Sequence, residues 1–274
     1  MGSKKMGLNI FRSLKSKSPY DWEIWHPNDL NDPRSNFNEW LEFANEHKVK
    51  INFFENKINF ENSVLLSDFE IAIVCGWYWK VEVDSLNKLK YGFWGIHNSL
   101  LPKYRGGSPL IWSLLSNDPK IGSSVFKLEE GMDTGPIALQ IAIENDSTSV
   151  EEILTRIEDC YKEKLSLVIE DILSDKCDLV YQDHRAATYF KPRNASDSEI
   201  NFYWTPEYLH KFVKIMRDPY PNSFFRINEF KYYVRNIKTK EFKIIAKVGE
   251  VIEVQQNKFL IKGIEDYVHT IDIF

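Results

Sequence analysis

Two short segments of the chain carry side chains suited to moving a proton. His97 follows an apolar run, and Asp133 lies 36 positions further on, within Gly-Met-Asp-Thr-Gly-Pro. A carboxylate beside a histidine orients the imidazole and raises its basicity. Such a pair can take a proton from an attacking amine. The alternative for Asp133 is a turn aspartate that bonds to its own backbone.

The segment after His97 has the composition of a stiff loop beside a ligand. Pro102 restricts the backbone, and Ser99 can hold the loop through a local hydrogen bond. Gly106 and Gly107 allow the backbone to approach a ligand closely. In open α/β sheets ligands bind at the carboxyl ends of strands, so a histidine that directly follows a strand is expected at a binding site.

Hydrophobic periodicity predicts the elements that position these loops. The predicted helices are Gly7–Ser16, Phe37–His47, Pro109–Leu115, Val150–Leu173 and Thr205–Met216. The predicted strands before residue 150 are Asp21–His26, Lys50–Phe54, Asp68–Gly76, Phe93–Ile96, Ser123–Leu128 and Ile137–Ile143. The long helix has candidate caps at Ser147, Thr148 and Ser149, with Glu151 and Glu152 at the capping-box spacing.

The order of these elements predicts two domains. Alternating strands and helices up to about residue 173 indicate an α/β fold with a Rossmann-like, mostly parallel sheet. Such domains open with a buried strand, whereas here a helix begins almost at once, so we expect the first strand to be missing or shortened. Short alternating segments from Phe224 onward indicate a small β-barrel. We therefore expect an N-terminal catalytic domain at residues 1–184, and a linker with an OB-like barrel at 185–274.

Composition excludes several classes of function. The net charge of −5 argues against indiscriminate nucleic-acid binding. The three cysteines make no metal-ligand spacing and suit a reducing, cytoplasmic setting. We expect no metal site, and find no nucleophile elbow, phosphate loop or dinucleotide fingerprint. No apolar stretch is long enough to span a bilayer, and the N-terminus lacks the core of a signal peptide.

The motifs around His97 and Asp133 resemble those of the folate-dependent formyltransferases. The shared residues are His-Asn-Ser-Leu-Leu-Pro-Lys-Tyr-Arg-Gly at 97–106 and Gly-Met-Asp-Thr-Gly around Asp133. The segment Val-Cys-Gly-Trp-Tyr at 74–78 is similar to the family's pterin-binding loop. Residues 189–193 and 217–221 resemble the linker and C-terminal domain of the methionyl-tRNA and sugar N-formyltransferases. The resemblance covers roughly residues 7–265.

This resemblance implies a reaction and a set of site residues. The family transfers a formyl group from 10-formyltetrahydrofolate to a primary amine through a tetrahedral oxyanion. It implies that His97 stabilises the oxyanion or moves protons, and that Asp133 orients His97. The residues implied in binding the folate are Gly76, Trp77, Tyr78, Ser99, Leu100, Leu101, Pro102, Arg105 and Gly106.

One position departs from the family pattern. The family has an asparagine two residues before the histidine, and this chain has Gly95 there. That amide donates to the developing oxyanion, and loss of one such donor typically costs about 10²–10³ in rate. Asn98 is expected to point elsewhere, since neighbouring residues of an extended segment face opposite sides. We therefore expect weak or altered formyl transfer.

The sequence leaves three possibilities open: two kinds of amine acceptor, and a protein that transfers no formyl group. In the tRNA enzymes of the family a basic insertion grips the acceptor stem, whereas the matching segment here, Asn28–Asn36, holds two aspartates and one arginine. This favours a small amine such as an amino sugar nucleotide. A mildly basic C-terminal part, with 12 Lys/Arg against 9 Asp/Glu in residues 201–274, keeps tRNA as an alternative. The other alternative is a folate-binding protein without turnover. A homodimer is a further expectation.

Overall fold

A computed structural model describes residues 1–32, 34–146 and 149–274. The helices are α1 (Lys4–Lys17), α2 (Phe37–Glu46), α3 (Lys57–Leu66), α4 (Val83–Leu86), α5 (Pro109–Leu115), α6 (Val150–Leu173) and α7 (Pro206–Ile215). The strands up to residue 144 are β1 (Ile24–Pro27), β2 (Ile51–Phe54), β3 (Ile71–Val74), β4 (Gly92–His97), β5 (Arg105–Gly106), β6 (Lys120–Lys127) and β7 (Ile137–Glu144). The later strands are β8 (Tyr189–Phe190), β9 (Phe224–Ile227), β10 (Phe230–Glu241), β11 (Val251–Gln255), β12 (Lys258–Lys262) and β13 (Tyr267–Ile273).

Contacts within the chain divide it into two compact units. The first unit comprises residues 1–113, 118–145 and 154–191, and the second comprises 114–117, 146–153 and 192–274. The predicted cap residues Ser147 and Thr148 lie outside the described residues. Ser149 does cap α6, because its hydroxyl accepts a hydrogen bond from the Glu152 amide at 3.2 Å.

The sheets of the first unit confirm the α/β fold. Strands β1 and β2 pair in parallel, and β3, β4, β6 and β7 form a second sheet in that order. Strands β3 and β4 are parallel, while β4–β6 and β6–β7 are antiparallel. In this antiparallel register His97 lies opposite Ser124, while the end of β6 lies opposite Trp94, so the loop that follows β6 folds back along β4 to reach His97.

A gap separates the two sheets where the first strand is expected. Residues 1–3 occupy one end of it: the Gly2 amide donates to Trp25 O at 3.0 Å, and the Cys75 amide donates to Met1 O at 3.0 Å. A side chain at Gly2 would lie 2.6 Å from Cys75 O, so the backbones can approach this closely only at glycine. Beside Met1 lies a cavity of about 340 Å³, lined largely by apolar residues that include Ile24 and Ile73. At the position expected for the first strand, residues 1–3 thus form a single parallel bridge, between Gly2 and Cys75, and no strand.

The second unit confirms the antiparallel β-structure expected near the C-terminus. Its five strands lie in the order β11-β12-β13-β10-β9, with register irregularities in β10 and β11 that bend the sheet. Phe224, Phe225 and Ile271 are buried in it. Helix α7 begins at the cap Thr205, whose hydroxyl accepts a hydrogen bond from the Tyr208 amide at 3.3 Å.

The buried amino group of Met1 predicts a pH-dependent stability. It donates to Ile73 O at 2.7 Å, and burial lowers its pKa from 8.0 to about 5. Between these pH values the unfolded chain binds more protons than the folded chain, so stability rises with pH across that window. For a chain with a free amino group at Met1, we expect a higher Tm at pH 8 than at pH 5, by about 2–4 °C per kcal/mol. Acetylated Met1 is the control; the same pH dependence in both forms would contradict this account.

The gap also predicts that an added strand would stabilise the fold. Four apolar β-branched residues fused ahead of Met1 would run between β1 and β3 and fill the cavity. Each buried Val or Ile side chain contributes roughly 1.5–3 kcal/mol, and the fusion removes the buried charge. Calorimetry should show a higher Tm for this fusion than for one with four Gly and Ser residues. Equal Tm values for the two fusions would show that the gap does not accept a strand.

Candidate active site

The loop after β4 is held in place by short hydrogen bonds and a small apolar cluster. The Ser99 hydroxyl donates to Lys103 O at 2.7 Å, and the Ser124 hydroxyl donates to Ser99 O at 2.7 Å. Leu101 packs in a buried cluster with Phe126 and Ile137. The backbone that follows His97 is thus fixed against β6 and β7, as a loop that presents a catalytic side chain must be.

The imidazole of His97 is oriented by a backbone carbonyl. Its Nε2 lies 2.8 Å from Tyr104 O, and because a carbonyl only accepts, Nε2 carries the hydrogen in the neutral ring. Nδ1 is then the nitrogen that can take up a proton. It lies 3.8 Å from Asp133 Oδ2, and the His97 side chain is only 10% exposed. Tyr104 holds a left-handed backbone conformation with φ of 60°, a strained geometry that aims its carbonyl at His97.

Asp133 is fixed by the backbone of the opposite loop. Its Oδ2 accepts a hydrogen bond from the Gly106 amide at 2.7 Å. Its own backbone is left-handed, with φ of 53°, a conformation that aspartate tolerates better than most residues. The 3.8 Å to His97 Nδ1 exceeds a hydrogen bond, so Asp133 acts on the neutral ring through charge alone. The role of Asp133 in orienting His97 stays a prediction.

Gly106 joins the loop to a distant segment. Strand β5 pairs in parallel with β8, with Gly106 opposite Phe190. Gly106 has a φ of 95°, and a side chain there would lie 2.3 Å from Phe190 O. Only glycine meets both conditions. The amide that holds Asp133 therefore depends on this glycine.

A cavity of about 390 Å³ lies beside the two side chains, and His97 and Asp133 both line it. The rest of its wall is mixed. The apolar and aromatic members include Trp77, Trp79, Val81, Leu86, Phe126 and Leu128, and the charged members are Lys80, Glu129 and Glu130. The indole Nε1 of Trp77 is buried without a hydrogen-bond partner among the described residues. A buried donor without a partner is costly. The aromatic side chains of the wall suit a flat ring.

The predicted ligand-binding residues fall into two groups. Gly76, Trp77, Tyr78 and Gly106 line the cavity. The others make supporting contacts instead of forming the wall described for this cavity, and they are Ser99, Leu100, Leu101, Pro102 and Arg105. Tyr78 donates its hydroxyl hydrogen to Asp29 Oδ2 at 2.8 Å. Burial and this bond raise the pKa of Tyr78, so the hydroxyl stays neutral.

Gly95 also lines the cavity, and apolar side chains surround the place where a side chain would begin. A Cβ there would lie 2.8 Å from Leu128 Cδ2 and 2.8 Å from Phe126 Cε1. Asn98 does not fill this role, because its Nδ2 lies 3.3 Å from Met6 Sδ and its Oδ1 accepts from Ser123 Oγ at 2.9 Å. No asparagine amide reaches this part of the cavity wall among the described residues.

Comparison with known proteins identifies the family of the chain. The model of the family described as formyl transferase matches residues 43–169, a range that contains His97, Asp133 and most of the cavity wall. The chain belongs to the formyltransferase family.

Relatives and a solved structure agree with this membership. The chain is 31% identical over 191 residues to a methionyl-tRNA formyltransferase of Pelagibacter ubique, covering 69% of this chain and 60% of that protein. It is 29% identical over 238 residues to one of Fusobacterium nucleatum, covering 84% and 76%. The N-formyltransferase structure from Helicobacter canadensis matches with a TM-score of 0.68 and 19% identity, covering 100% and 97%. The chain thus spans about 60% of the first of these curated relatives.

Several residues at this cavity and around Arg105 were not predicted from the sequence. Trp79 and Phe126 line the cavity, and each stands in an apolar segment where packing explains an aromatic residue equally well. Gln182, His184 and Tyr189 surround the guanidinium of Arg105. Their only sequence signal is that Tyr189 begins the segment that resembles the family's linker.

Metal-ligand clusters and membrane-spanning helices are both absent from the part of the chain that the structure describes. No group of three or more His, Cys, Asp or Glu side chains that could hold a metal ion occurs in residues 1–32, 34–146 and 149–274. Of the helices in the same part of the chain, none combines the length and apolar composition needed to cross a membrane.

The backbone conformation of Gly106 and its close contact with Phe190 O predict that adding a single methyl group at this position lowers stability. Replacing Gly106 with Ala forces an alanine into φ of 95° and against Phe190 O, which should separate β5 from β8. We expect a loss of about 1–3 kcal/mol in the free energy of unfolding, measured in urea. Gly107→Ala is the matched control, since the described backbone does not place Gly107 in the left-handed region. Equal losses in the two variants would contradict the special role of Gly106.

Proposed function

We propose that this chain transfers a formyl group from 10-formyltetrahydrofolate to a primary amine, most readily that of an amino sugar nucleotide. One observation carries the proposal: His97 Nδ1 and Asp133 Oδ2 lie 3.8 Å apart on the wall of a cavity whose other lining residues include three aromatic side chains, Trp77, Trp79 and Phe126. A proton-handling pair beside a slot for a flat ring is what this transfer requires. The Helicobacter canadensis N-formyltransferase, which has the same fold, was solved with folinic acid.

The cavity wall supplies what the donor needs. The pterin ring would lie among Trp77, Trp79 and Phe126. When bound, the folate supplies an activated formyl carbon. In the reaction the acceptor nitrogen forms a bond to that carbon and loses one proton, while the bond from the carbon to N10 breaks and N10 gains one proton.

His97 is the group that handles the amine proton. Tyr104 O fixes the hydrogen on Nε2, so Nδ1 is the basic nitrogen, and the cavity gives the acceptor amine access to the ring. Protonation would turn the ring into a cation 3.8 Å from the Asp133 carboxylate. Coulomb attraction at this distance stabilises that cation.

Two observations support a sugar nucleotide as the acceptor. The Helicobacter canadensis enzyme, which this chain matches over 97% of its length, was solved with dTDP-3-aminofucose. The loop at residues 28–36 offers little to a phosphate backbone. Its Asp32 binds Lys4 at 2.6 Å and Arg34 at 2.9 Å, so the nearby cations are already paired with a carboxylate.

A second candidate is methionyl-tRNA formylation. Both curated relatives named above are methionyl-tRNA formyltransferases, and residues 201–274 carry 12 basic against 9 acidic side chains. An electrophoretic mobility shift with charged initiator tRNA tests this candidate. Binding that survives physiological salt would favour tRNA over a sugar nucleotide, since contacts to phosphates weaken steeply with salt.

The activity test is a screen of amino sugar nucleotides with 10-formyltetrahydrofolate, read as the mass gain of one formyl group. We expect slow formylation by the natural chain, because Gly95 provides no amide for the oxyanion. Gly95→Asn combined with Leu128→Ala, which removes one of the two side chains that crowd a Cβ there and leaves only the Phe126 ring to turn aside, should raise kcat by up to about 10². Leu128→Ala alone is the matched control.

The same screen also decides whether the chain is catalytic at all. Folate binding by calorimetry without formylation of any amine, in either the natural chain or the double variant, would identify a folate-binding protein without turnover. Equal rates for the double variant and Leu128→Ala would instead show that the asparagine position does not limit the rate.

A further inference from the structure

We propose that Gln182 is a positioning residue that sets the distance between His97 and Asp133; this role rests on the proposed formyl transfer. Gln182 is remote in sequence, 77 positions from Arg105 and 49 from Asp133. It is buried, with 8% of its surface exposed. Oε1 accepts from Arg105 Nε at 3.2 Å and Nη2 at 2.7 Å, while Nε2 donates to Asp133 O at 2.9 Å and Gly135 O at 2.7 Å.

These bonds connect the two loops of the site through one side chain. Arg105 follows Tyr104, whose carbonyl holds His97, and it precedes Gly106, whose amide holds Asp133. Gln182 adds a second connection, from the Arg105 guanidinium to the backbone of the Asp133 loop. Loop movement that would lengthen the separation of His97 and Asp133 must therefore also break bonds to Gln182.

The buried charge of Arg105 fixes which way the amide of Gln182 faces. Arg105 is fully buried, and a guanidinium has donors only. In the described chain its side-chain partners are neutral acceptors: Gln182 Oε1, the Tyr189 hydroxyl at 2.7 Å and His184 Nδ1 at 3.0 Å. The amide oxygen of Gln182 must face the cation, so its NH₂ must face the carbonyls of the Asp133 loop. All four hydrogen-bonding positions of the amide are then used.

This geometry distinguishes glutamine from glutamate. A glutamate at 182 would still accept from Arg105, and with charge assistance. Its second oxygen would meet Asp133 O and Gly135 O, both acceptors, so the connection to the Asp133 loop would be lost. Gln182→Glu therefore separates the satisfaction of Arg105 from the positioning of Asp133.

For Gln182→Glu we expect kcat for formyl transfer to fall by about 10- to 10²-fold, because small displacements at a reacting centre cost this much. The KM for the folate donor should change by less than about threefold, since Gln182 is outside the described cavity wall. The control is Gln256→Glu, the same change at an exposed turn of the second unit. Circular dichroism and Tm establish that each variant is folded, and Gln182→Asn, which keeps a neutral amide but is one methylene shorter, is the substitute should the glutamate variant unfold.

A measurement independent of turnover is the ¹⁵N spectrum of the His97 imidazole, assigned by the signal lost in His97→Gln. The proposal expects these signals to differ between the natural chain and Gln182→Glu and not between the natural chain and Gln256→Glu. A folded Gln182→Glu with natural kcat and unchanged His97 signals would overturn it. If the natural chain formylates no amine, the proposed function fails by itself, and the imidazole spectrum still decides the role of Gln182.

Discussion

The buried guanidinium of Arg105 is the constraint on which the site depends. A cation removed from water is stable only when its donors are satisfied, and here a side-chain amide, a phenol and an imidazole satisfy them. These partners come from residues 182–189, which are far from Arg105 in sequence. Burial of one charge therefore holds three chain segments together, and two of them carry His97 and Asp133. Hydrogen bonds act only over short distances, and an unsatisfied buried donor is costly. The positions of these segments are therefore closely defined, because few other placements satisfy the same donors.

The interrupted sheet and the site occupy different parts of the first unit. The gap lies between β1 and β3, whereas His97 ends β4, which pairs with β3 on one side and β6 on the other. The loop after β4 is held by Ser124 and by the apolar cluster around Leu101. None of these contacts uses residues 1–3. The gap thus lies in a part of the unit that makes none of the contacts holding the site.

The sequence made the fold predictable and marked the loops that carry His97 and Asp133, because both leave local signals. Strand β3 is a short β-branched run, α6 follows a regular apolar spacing, and the glycine-flanked motifs mark the loops of His97 and Asp133. Helix α3 left no such signal: Ile58, Leu65 and Leu66 are exposed, so its apolar residues form no single stripe. The folate-binding residues followed from resemblance, and the structure gives five of the nine a supporting place instead of one in the cavity wall.

Other parts of the site could not be predicted because they depend on contacts between distant residues. Strands β5 and β8 are two residues long and pair across 84 positions, which no periodicity detects. Gln182 is an ordinary polar residue until the fold places it between Arg105 and the Asp133 loop. The outcome that Asp133 lies 3.8 Å from His97, with Tyr104 O holding the ring, likewise depends on a backbone conformation.

Gly95 separates two contributions that active sites usually combine. In the proposed transfer, positioning and proton transfer would depend on Gln182, Tyr104 O and His97. Stabilisation of a developing oxyanion depends on donors aimed at it, and at position 95 the wall offers Phe126 and Leu128 instead. An apolar wall strengthens the field of a nearby charge, so a protonated His97 would act on the oxyanion more strongly here than in water. In the proposed reaction the imidazolium of His97 would therefore provide stabilisation of the oxyanion that an asparagine amide would otherwise share.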